Sequence, residues 1–243
     1  MKIKANIPNF ITLLNLLSGC IAVVFVAWDQ FLMAFFFVCL GIFFDFFDGF
    51  FARIFKVQSP LGVQLDSLAD MVTSGFVPGF VMFKLIFKYQ NQGLSSLDDL
   101  FPLNHIIPLI GFFITLGACF RLAKFNIDTR QSDSFIGLPT PANALFILSL
   151  PVIIETTDVL FINELLTNTY FLIAVTLLSV YIMNAEIPLF SLKMKNFSWQ
   201  NSMFQIIFLI ISVLLLVLLK IIALPIIILC YVTLSVIQNK MTS

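Results

Sequence analysis

The sequence is dominated by long apolar segments that alternate with short polar ones. A helix that crosses a bilayer needs about 20 consecutive, mostly apolar residues. About eight segments approach or reach that length, which predicts an all-α polytopic membrane protein with about eight transmembrane helices. The predicted spans lie near residues 8–27, 31–52, 66–88, 105–122, 139–154, 168–190, 203–219 and 222–238.

The amino-acid composition agrees with this pattern. The chain has 243 residues, of which 60% are hydrophobic and 11% are charged, whereas soluble domains have about 25% charged residues. The formal net charge is zero, so no overall field would attract nucleic acid and we expect no such partner. The four cysteines form no Cys-x-x-Cys pair, so neither a zinc site nor a disulfide framework is predicted.

Lysine and arginine are unevenly distributed between the two sides of the predicted helices. Cytoplasmic loops of membrane proteins carry an excess of these residues. With the N-terminus inside, ten of the 13 lie on the inner side, and only Lys84, Lys88 and Lys220 lie outside. This bias predicts a protein of the cell (inner) membrane with both termini on the cytoplasmic side.

The stretch 45–70, DFFDGFFARIFKVQSPLGVQLDSLAD, places four aspartates at the facing ends of two predicted helices. Asp45 and Asp48 are three residues apart, and Asp66 and Asp70 are four apart. Both spacings put the two members of a pair on one face of a helix. Since the intervening loop reverses the chain, we expect the four carboxylates to converge on one point near the inner membrane surface.

Such a cluster is costly within a membrane protein. A carboxylate at the centre of a span costs about 2.5–3.5 kcal/mol on insertion scales, and repulsion between like charges adds to that cost. A divalent cation removes the repulsion, and oxygen ligands without His or Cys suit Mg²⁺ or Mn²⁺. The alternative is that Asp66 caps a helix and Arg53 neutralises one carboxylate. That alternative does not account for the small residues on the same helix faces.

The spacing of the fixed residues is Asp45-x₂-Asp48-Gly49-x₂-Ala52-Arg53-x₈-Gly62-x₃-Asp66-x₃-Asp70. It resembles the complete signature of the CDP-alcohol phosphotransferase family, with no departure at any position. The resemblance implies a helical membrane fold, a homodimer and two divalent metal ions. It also implies transfer of a phosphatidyl-type group from a CDP-linked donor to an alcohol, with release of CMP.

Three further stretches resemble the phosphatidylserine synthase branch of this family. They are IPNFITLLNLLSGC (7–20), FRLAKFNI (120–127) and GLPTPANA (137–144). In the last two, Lys124 replaces an Arg and Thr140 replaces a Ser of the branch. The stretches favour L-serine as the acceptor, so the expected reaction converts CDP-diacylglycerol and L-serine to phosphatidylserine and CMP.

The resemblance also implies roles for individual residues. All four aspartates would bind the metal ions, and Asp70 would also be the general base that accepts the proton of the serine hydroxyl. The residues implied to contact the CDP-lipid are Asn9, Thr12, Gly49, Ala52, Arg53, Ser59 and Gly62.

The polar residues Arg121, Lys124 and Asn126 end the fourth predicted span, on the same side of the membrane as the aspartates. Serine is a zwitterion that needs a cation for its carboxylate, which Arg matches well, and a polar acceptor for its ammonium group. We therefore expect these three residues to bind serine. For Lys124, anchoring at the inner membrane surface is an equal alternative.

Two other functions stay open at this point. The acceptor could be glycerol 3-phosphate or an inositol compound, with Arg121, Lys124 and Arg130 as the basic cluster for its phosphate. A transporter or ion pathway, a different class, would also contain intramembrane carboxylates, but the aspartates lie at one end of the spans. In either case we expect one integral-membrane domain over 1–243, with a catalytic six-helix core (1–190) and two additional C-terminal transmembrane helices (191–243).

Overall fold

The computed structural model describes residues 2–90, 106–128, 135–190 and 199–242, which are almost entirely helical. The α-helices are α1 Lys2–Ala27, α2 Phe31–Ile54, α3 Pro60–Asp70, α4 Val77–Gln90, α5 Phe113–Ile127, α6 Thr140–Thr156, α7 Leu160–Leu166, α8 Thr169–Asn184, α9 Trp199–Leu219 and α10 Ala223–Thr242. A π-helical turn at Met71–Phe76 joins α3 to α4. One 3₁₀ segment, Ile107–Phe112, precedes α5, and another, Lys220–Ile222, joins α9 to α10.

α1 and α2 form an antiparallel pair, and small and polar residues let both helices approach the π-helical turn closely. A side chain at Gly41 would meet Thr73 and Asn15, and one at Gly19 would meet Thr73. Large apolar residues of α2, such as Phe43 and Phe46, point outwards instead. This arrangement is typical of membrane helices, where small residues let backbones approach closely and apolar side chains face lipid.

The third predicted span begins earlier than expected, at Pro60 rather than near residue 66. Ser59 is the N-cap of α3, and its side chain accepts a hydrogen bond of 3.1 Å from the Gly62 N–H. Proline is also favoured in the first turn of a helix, where its missing N–H has no partner to lose. As a result, α3, the π-helical turn and α4 form one helical stretch over Pro60–Gln90.

The sixth predicted span, 168–190, is wrong at its C-terminal end. α8 ends at Asn184, and residues 188–189 are extended and pair antiparallel with 135–136. Gly137 follows this short pairing with a φ of 74°, and a Cβ there would meet the backbone of Met183. A left-handed residue in such close contact favours glycine. α7, which was not predicted, is bent by 67° from α8.

α9 and α10 fold back on each other as a hairpin. The rings of Phe208 and Tyr231 lie 5.5 Å apart between centroids, whereas one continuous helix would separate these residues by about 34 Å. Lys220 makes the reversal with a φ of 50°. The Tyr231 hydroxyl donates a hydrogen bond of 2.8 Å to the Phe190 carbonyl, which ties the hairpin to the preceding helices.

Within the described residues, length and composition identify five helical stretches able to cross a membrane, or six if α7 and α8 form one bent span. One of the five, Phe204–Lys240, contains the α9–α10 hairpin, and α6 is apolar but shorter. The all-α membrane architecture is therefore confirmed, while the number of eight spans stays a prediction. The predicted division after residue 190 falls beside residues outside the described ranges.

Candidate active site

Three of the four aspartates form a compact carboxylate cluster where α2 ends and α3 begins. One carboxylate oxygen of each of Asp45, Asp48 and Asp66 lies within 4.8 Å of the other two. Asp48 is only 5% exposed, and the Asp45 and Asp66 carboxyl groups are close enough to share a hydrogen bond. The short loop between α2 and α3 thus brings the two helix ends together, as the sequence predicts.

Asp70 lies one turn further along α3 and is not a member of this group of three. Its Oδ1 accepts a hydrogen bond of 3.1 Å from the side-chain amide of Asn15 on α1. Asp70 is buried and within electrostatic range of Asp66 and Asp48. Three of the four carboxylates therefore meet at one point as expected. The fourth does not, because Asp70 is turned toward α1.

Among the described residues, no lysine or arginine forms an ion pair with the carboxylate cluster. Only two ion pairs occur among the described residues, Lys84 with Asp29 and Lys124 with Glu186. The Arg53 Nε–H instead donates a hydrogen bond of 2.9 Å to the backbone carbonyl of Gly49. Arg53 therefore does not neutralise an aspartate, and uncompensated hard oxygen ligands fit a divalent cation such as Mg²⁺ or Mn²⁺.

A cleft of about 820 Å³ opens beside the cluster. Asp48 and Asp66 line it, so two carboxylates of the cluster border the space in which a ligand would lie. All seven residues predicted to contact the CDP-lipid also line this cleft: Asn9, Thr12, Gly49, Ala52, Arg53, Ser59 and Gly62. The sequence did not identify the remaining lining residues, which are Pro8, Val57, Gln58, Pro60, Val63 and Phe125.

Two glycines keep the cleft open. A Cβ at Gly49 would meet only the Arg53 guanidinium, at 3.9 Å, so the position borders free space. A Cβ at Gly62 would lie 3.3 Å from Ser59 Oγ and 3.4 Å from Asn9 Oδ1. A side chain at either position would therefore occupy space available to a ligand.

Arg121 is a buried cation on α5, with only 7% of its surface exposed. One terminal nitrogen lies 3.4 Å from the Gly137 carbonyl oxygen, and its charge acts on Asp70. Its Nε is buried and has no hydrogen-bond partner within the part of the chain that the structure describes. A buried, unpaired N–H donor is costly, so this atom is available to an anionic ligand.

The other two residues predicted to bind serine have separate partners. Lys124 forms an ion pair with Glu186, and the Asn126 side-chain amide donates a hydrogen bond of 2.9 Å to Ser67 Oγ. The structure therefore does not join the three predicted residues through a common contact. Arg121 is buried and within electrostatic range of Asp70, whereas Lys124 and Asn126 are engaged at more exposed positions.

Comparison with known proteins decides the family. A model described as "CDP-alcohol phosphatidyltransferase" matches residues 5–237. The chain belongs to the CDP-alcohol phosphatidyltransferase family. The match begins in α1 and ends in α10, so it includes both aspartate-bearing helices and the C-terminal hairpin. The resemblance noted in the sequence is thereby confirmed.

Three curated relatives share the name CDP-diacylglycerol–serine O-phosphatidyltransferase. The protein of Helicobacter pylori (strain ATCC 700392 / 26695) is 28% identical over 209 residues, which cover 84% of this chain and 79% of the relative. That of Methanocaldococcus jannaschii is 31% identical over 175 residues, covering 72% and 71%. That of Bacillus subtilis is 32% identical over 139 residues, covering 56% and 69%.

Sequence analysis missed one contact of the site, that of Asn15 with Asp70. Asn9, Thr12 and Asn15 recur every three residues in the largely apolar α1, a spacing that puts them along one helix face. The Thr12 hydroxyl lies 2.5 Å from Asp48 Oδ2 and 3.1 Å from the Pro8 carbonyl oxygen. This spacing was the available signal, and it indicates that α1 carries a polar row toward the aspartates.

Proposed function

We propose that this protein transfers a phosphatidyl group from CDP-diacylglycerol to the hydroxyl group of L-serine, giving phosphatidylserine and CMP. The observation that carries the proposal is the carboxylate cluster at the edge of a cleft lined by all the residues predicted to contact the donor. Membership of the family and the shared name of its relatives support the same reaction. The protein is accordingly a transferase of phospholipid biosynthesis.

Asp45, Asp48, Asp66 and Asp70 would hold two divalent ions, Mg²⁺ or Mn²⁺. The cluster of Asp45, Asp48 and Asp66, which has no ion-pair partner among the described residues, supports this assignment. When bound, such ions would supply the positive charge that stabilises the donor pyrophosphate and the departing CMP. The fold contributes by holding carboxylates from two helices at fixed separation.

The donor would bind in the cleft between α1, α2 and α3. Gly49, Ala52 and Gly62 leave room for its nucleotide and pyrophosphate, and Arg53 is an exposed cation at the cleft wall. Asn9, Thr12 and Ser59 offer polar groups along the same wall. The acyl chains of the donor would remain in the bilayer, since the outer helix surfaces are apolar.

The acceptor serine would bind through Arg121, with its carboxylate on the unpartnered Nε. Burial of Arg121 beside Asp70 supports this arrangement, because it would bring the serine hydroxyl near the proposed base. Lys124, paired with Glu186, and Asn126, paired with Ser67, would border the same pocket. Their partners support a secondary role for both residues.

In the reaction, the serine oxygen attacks the β-phosphorus of CDP-diacylglycerol. A new P–O bond to serine forms as the bond to the CMP oxygen breaks, and both electrons of the broken bond leave with CMP. The Asp70 carboxylate accepts the proton of the serine hydroxyl as attack proceeds. Transfer therefore needs Asp70 unprotonated at the start of each cycle.

We infer that the site faces the cytoplasm, together with both termini, in the cell (inner) membrane. The ten-to-three distribution of Lys and Arg supports this orientation. We also infer a homodimer, on the family resemblance, and a catalytic core in residues 1–190 with the α9–α10 hairpin as an addition.

A reconstituted assay tests the reaction. Purified protein in mixed micelles with CDP-diacylglycerol would receive L-serine, glycerol 3-phosphate or myo-inositol, and mass spectrometry would identify the lipid formed. Phosphatidylserine from the serine reaction alone is the expected outcome. A product from another acceptor would replace serine in the proposal, and no lipid product from folded protein would overturn the transferase assignment.

A further inference from the structure

α1 reaches both aspartate-bearing helices through two neighbouring polar side chains. Thr12 lies 2.5 Å from Asp48 Oδ2, on α2. Asn15, one turn further along, donates a hydrogen bond of 3.1 Å to Asp70 Oδ1, on α3. α1 itself contributes no carboxylate, so its polar row acts on the site through aspartates held by other helices.

Asn15 is held in place from several directions. Its side chain is fully buried, with 0% exposure. Its backbone carbonyl accepts a hydrogen bond of 3.1 Å from the Thr73 hydroxyl, in the π-helical turn after Asp70. A Cβ at Gly41 of α2 would lie 2.9 Å from Asn15 Oδ1, so glycine makes the space that the amide fills. The amide therefore has little freedom to turn away from Asp70.

The chemistry of the amide distinguishes the two oxygens of Asp70. A side-chain NH₂ group only donates hydrogen bonds, so the oxygen that it contacts, Oδ1, is engaged as an acceptor. The second oxygen, Oδ2, has no bond to Asn15. An oriented carboxylate of this kind matches the requirement that a general base be held within reach of the proton it removes.

We propose that Asn15 is a positioning residue that fixes the Asp70 carboxylate, so that Oδ2 receives the proton of the acceptor hydroxyl. The proposal rests on the function proposed above, in which Asp70 is the base. In this role, Asn15 would act on the reaction through Asp70 and not through a contact with either substrate. Its loss should slow turnover while leaving substrate binding intact.

The competing explanation is that Asn15 only joins helices, as polar side chains do in membrane proteins. If Asn15 only holds helices together, its substitution should reduce the amount of folded protein. The turnover per folded molecule should then equal that of the unaltered chain. A positioning role predicts a lower kcat at unchanged KM in fully folded protein. The two explanations therefore differ in a measurable quantity.

The test compares Asn15→Val with Asn15→Thr, which have the same shape but differ in one hydroxyl donor. We expect Asn15→Val to lower kcat by about ten-fold to a hundred-fold, the range for losing a hydrogen bond to a charged group. Asn15→Thr should retain more of the activity. KM for CDP-diacylglycerol and for serine should be unchanged in both variants. Ser18→Ala is the control, because among the described residues the Ser18 hydroxyl donates its hydrogen bond to the Leu14 carbonyl of its own helix.

Folding is measured alongside activity by size-exclusion chromatography and thermal unfolding in detergent. Equal kcat for the Val and Thr variants, or a loss of activity that only follows the folded fraction, would overturn the proposal. If both variants fail to fold, Asn15→Ser and Asn15→Ala make the same comparison with smaller side chains. A failure of the proposed function can be distinguished from a failure of the positioning role, because the unaltered enzyme would then form no phosphatidylserine.

Discussion

At the scale of the residue, the proposed function assigns some groups to the donor and others to the acceptor. Arg121 is the buried cation beside Asp70, with an unpartnered Nε. Arg121→Ala should lower kcat/KM for serine by about ten-fold to a hundred-fold, the effect of losing a charge-assisted hydrogen bond. Affinity for CDP-diacylglycerol should change little. Steady-state kinetics with each substrate varied in turn measures both effects.

Lys124→Ala is the matched control, one turn along α5. Because Lys124 is paired with Glu186 on the surface, its loss should have a much smaller effect on serine kinetics. Equal losses in the two variants would contradict the assignment of the serine carboxylate to Arg121.

Asp70→Asn should nearly abolish turnover while serine still binds, since an amide cannot accept the proton.

The carboxylate cluster makes a second prediction at this scale. Treatment with EDTA should abolish turnover, and Mn²⁺ or Mg²⁺ should restore it, because Asp45, Asp48 and Asp66 otherwise repel one another. Added Mn²⁺ should also raise the unfolding temperature, since a ligand that binds only the folded state stabilises it. Asp48→Asn should reduce that rise. Full activity in excess chelator would contradict a role for the metal.

At the scale of the element, α2 carries one glycine in a tightly packed contact and another that borders the open cleft. Gly41 faces Thr73 and Asn15, where a Cβ would approach to 2.7 and 2.9 Å. Gly49 borders the cleft, where a Cβ would meet only Arg53. Gly41→Ala should therefore lower the unfolding temperature. Gly49→Ala should leave it unchanged or raise it, since Ala favours a helix by about 1 kcal/mol, but should raise KM for the donor.

Thermal unfolding and donor kinetics of the two variants decide this prediction. If Gly41→Ala is as stable as Gly49→Ala, the close approach of α1, α2 and the π-helical turn does not limit stability. If Gly49→Ala keeps its affinity for CDP-diacylglycerol, the donor does not occupy the cleft beside that residue.

The elements also show what the sequence could predict. The span lengths follow from bilayer thickness, so the predicted bounds of α2, α9 and α10 agree with the structure to within a few residues. α1 ends where predicted, at Ala27, but begins earlier, at Lys2 rather than near residue 8. The Asp45–Asp70 spacing predicted a cluster because helix periodicity fixes which residues share a face. The end of α8 was missed because residues 188–189 pair with 135–136, a contact between segments distant in the chain. Asn15 was missed because its partner lies 55 residues away.

At the scale of the whole molecule, the orientation of the membrane helices is the open prediction. Gln58 is exposed in the loop between α2 and α3, and Gln30 is exposed in the turn between α1 and α2, at the opposite end of α2. In a background without the native cysteines, Gln30→Cys should react with an impermeant thiol reagent applied to intact cells. Gln58→Cys should react only after the cells are opened.

Disrupted cells labelled at both positions provide the control for accessibility. Labelling of Gln58→Cys in intact cells, with protection of Gln30→Cys, would place the aspartates outside the cytoplasm and contradict the proposed orientation. Activity of each variant should be measured too, because Gln58 lines the cleft.

The π-helical turn at Met71–Phe76 has a consequence for the angular phase of the third membrane helix. The wider turn accommodates one extra residue. This residue rotates the side chains of α4 about the helix axis by about 100° relative to those of α3. The carboxylate edge of α3 and the core-packing edge of α4 are therefore set independently of each other. Deleting one residue within the turn would restore a regular α-helix. Either the carboxylates of α3 would then turn away from the cluster, or the buried face of α4 would turn away from the core.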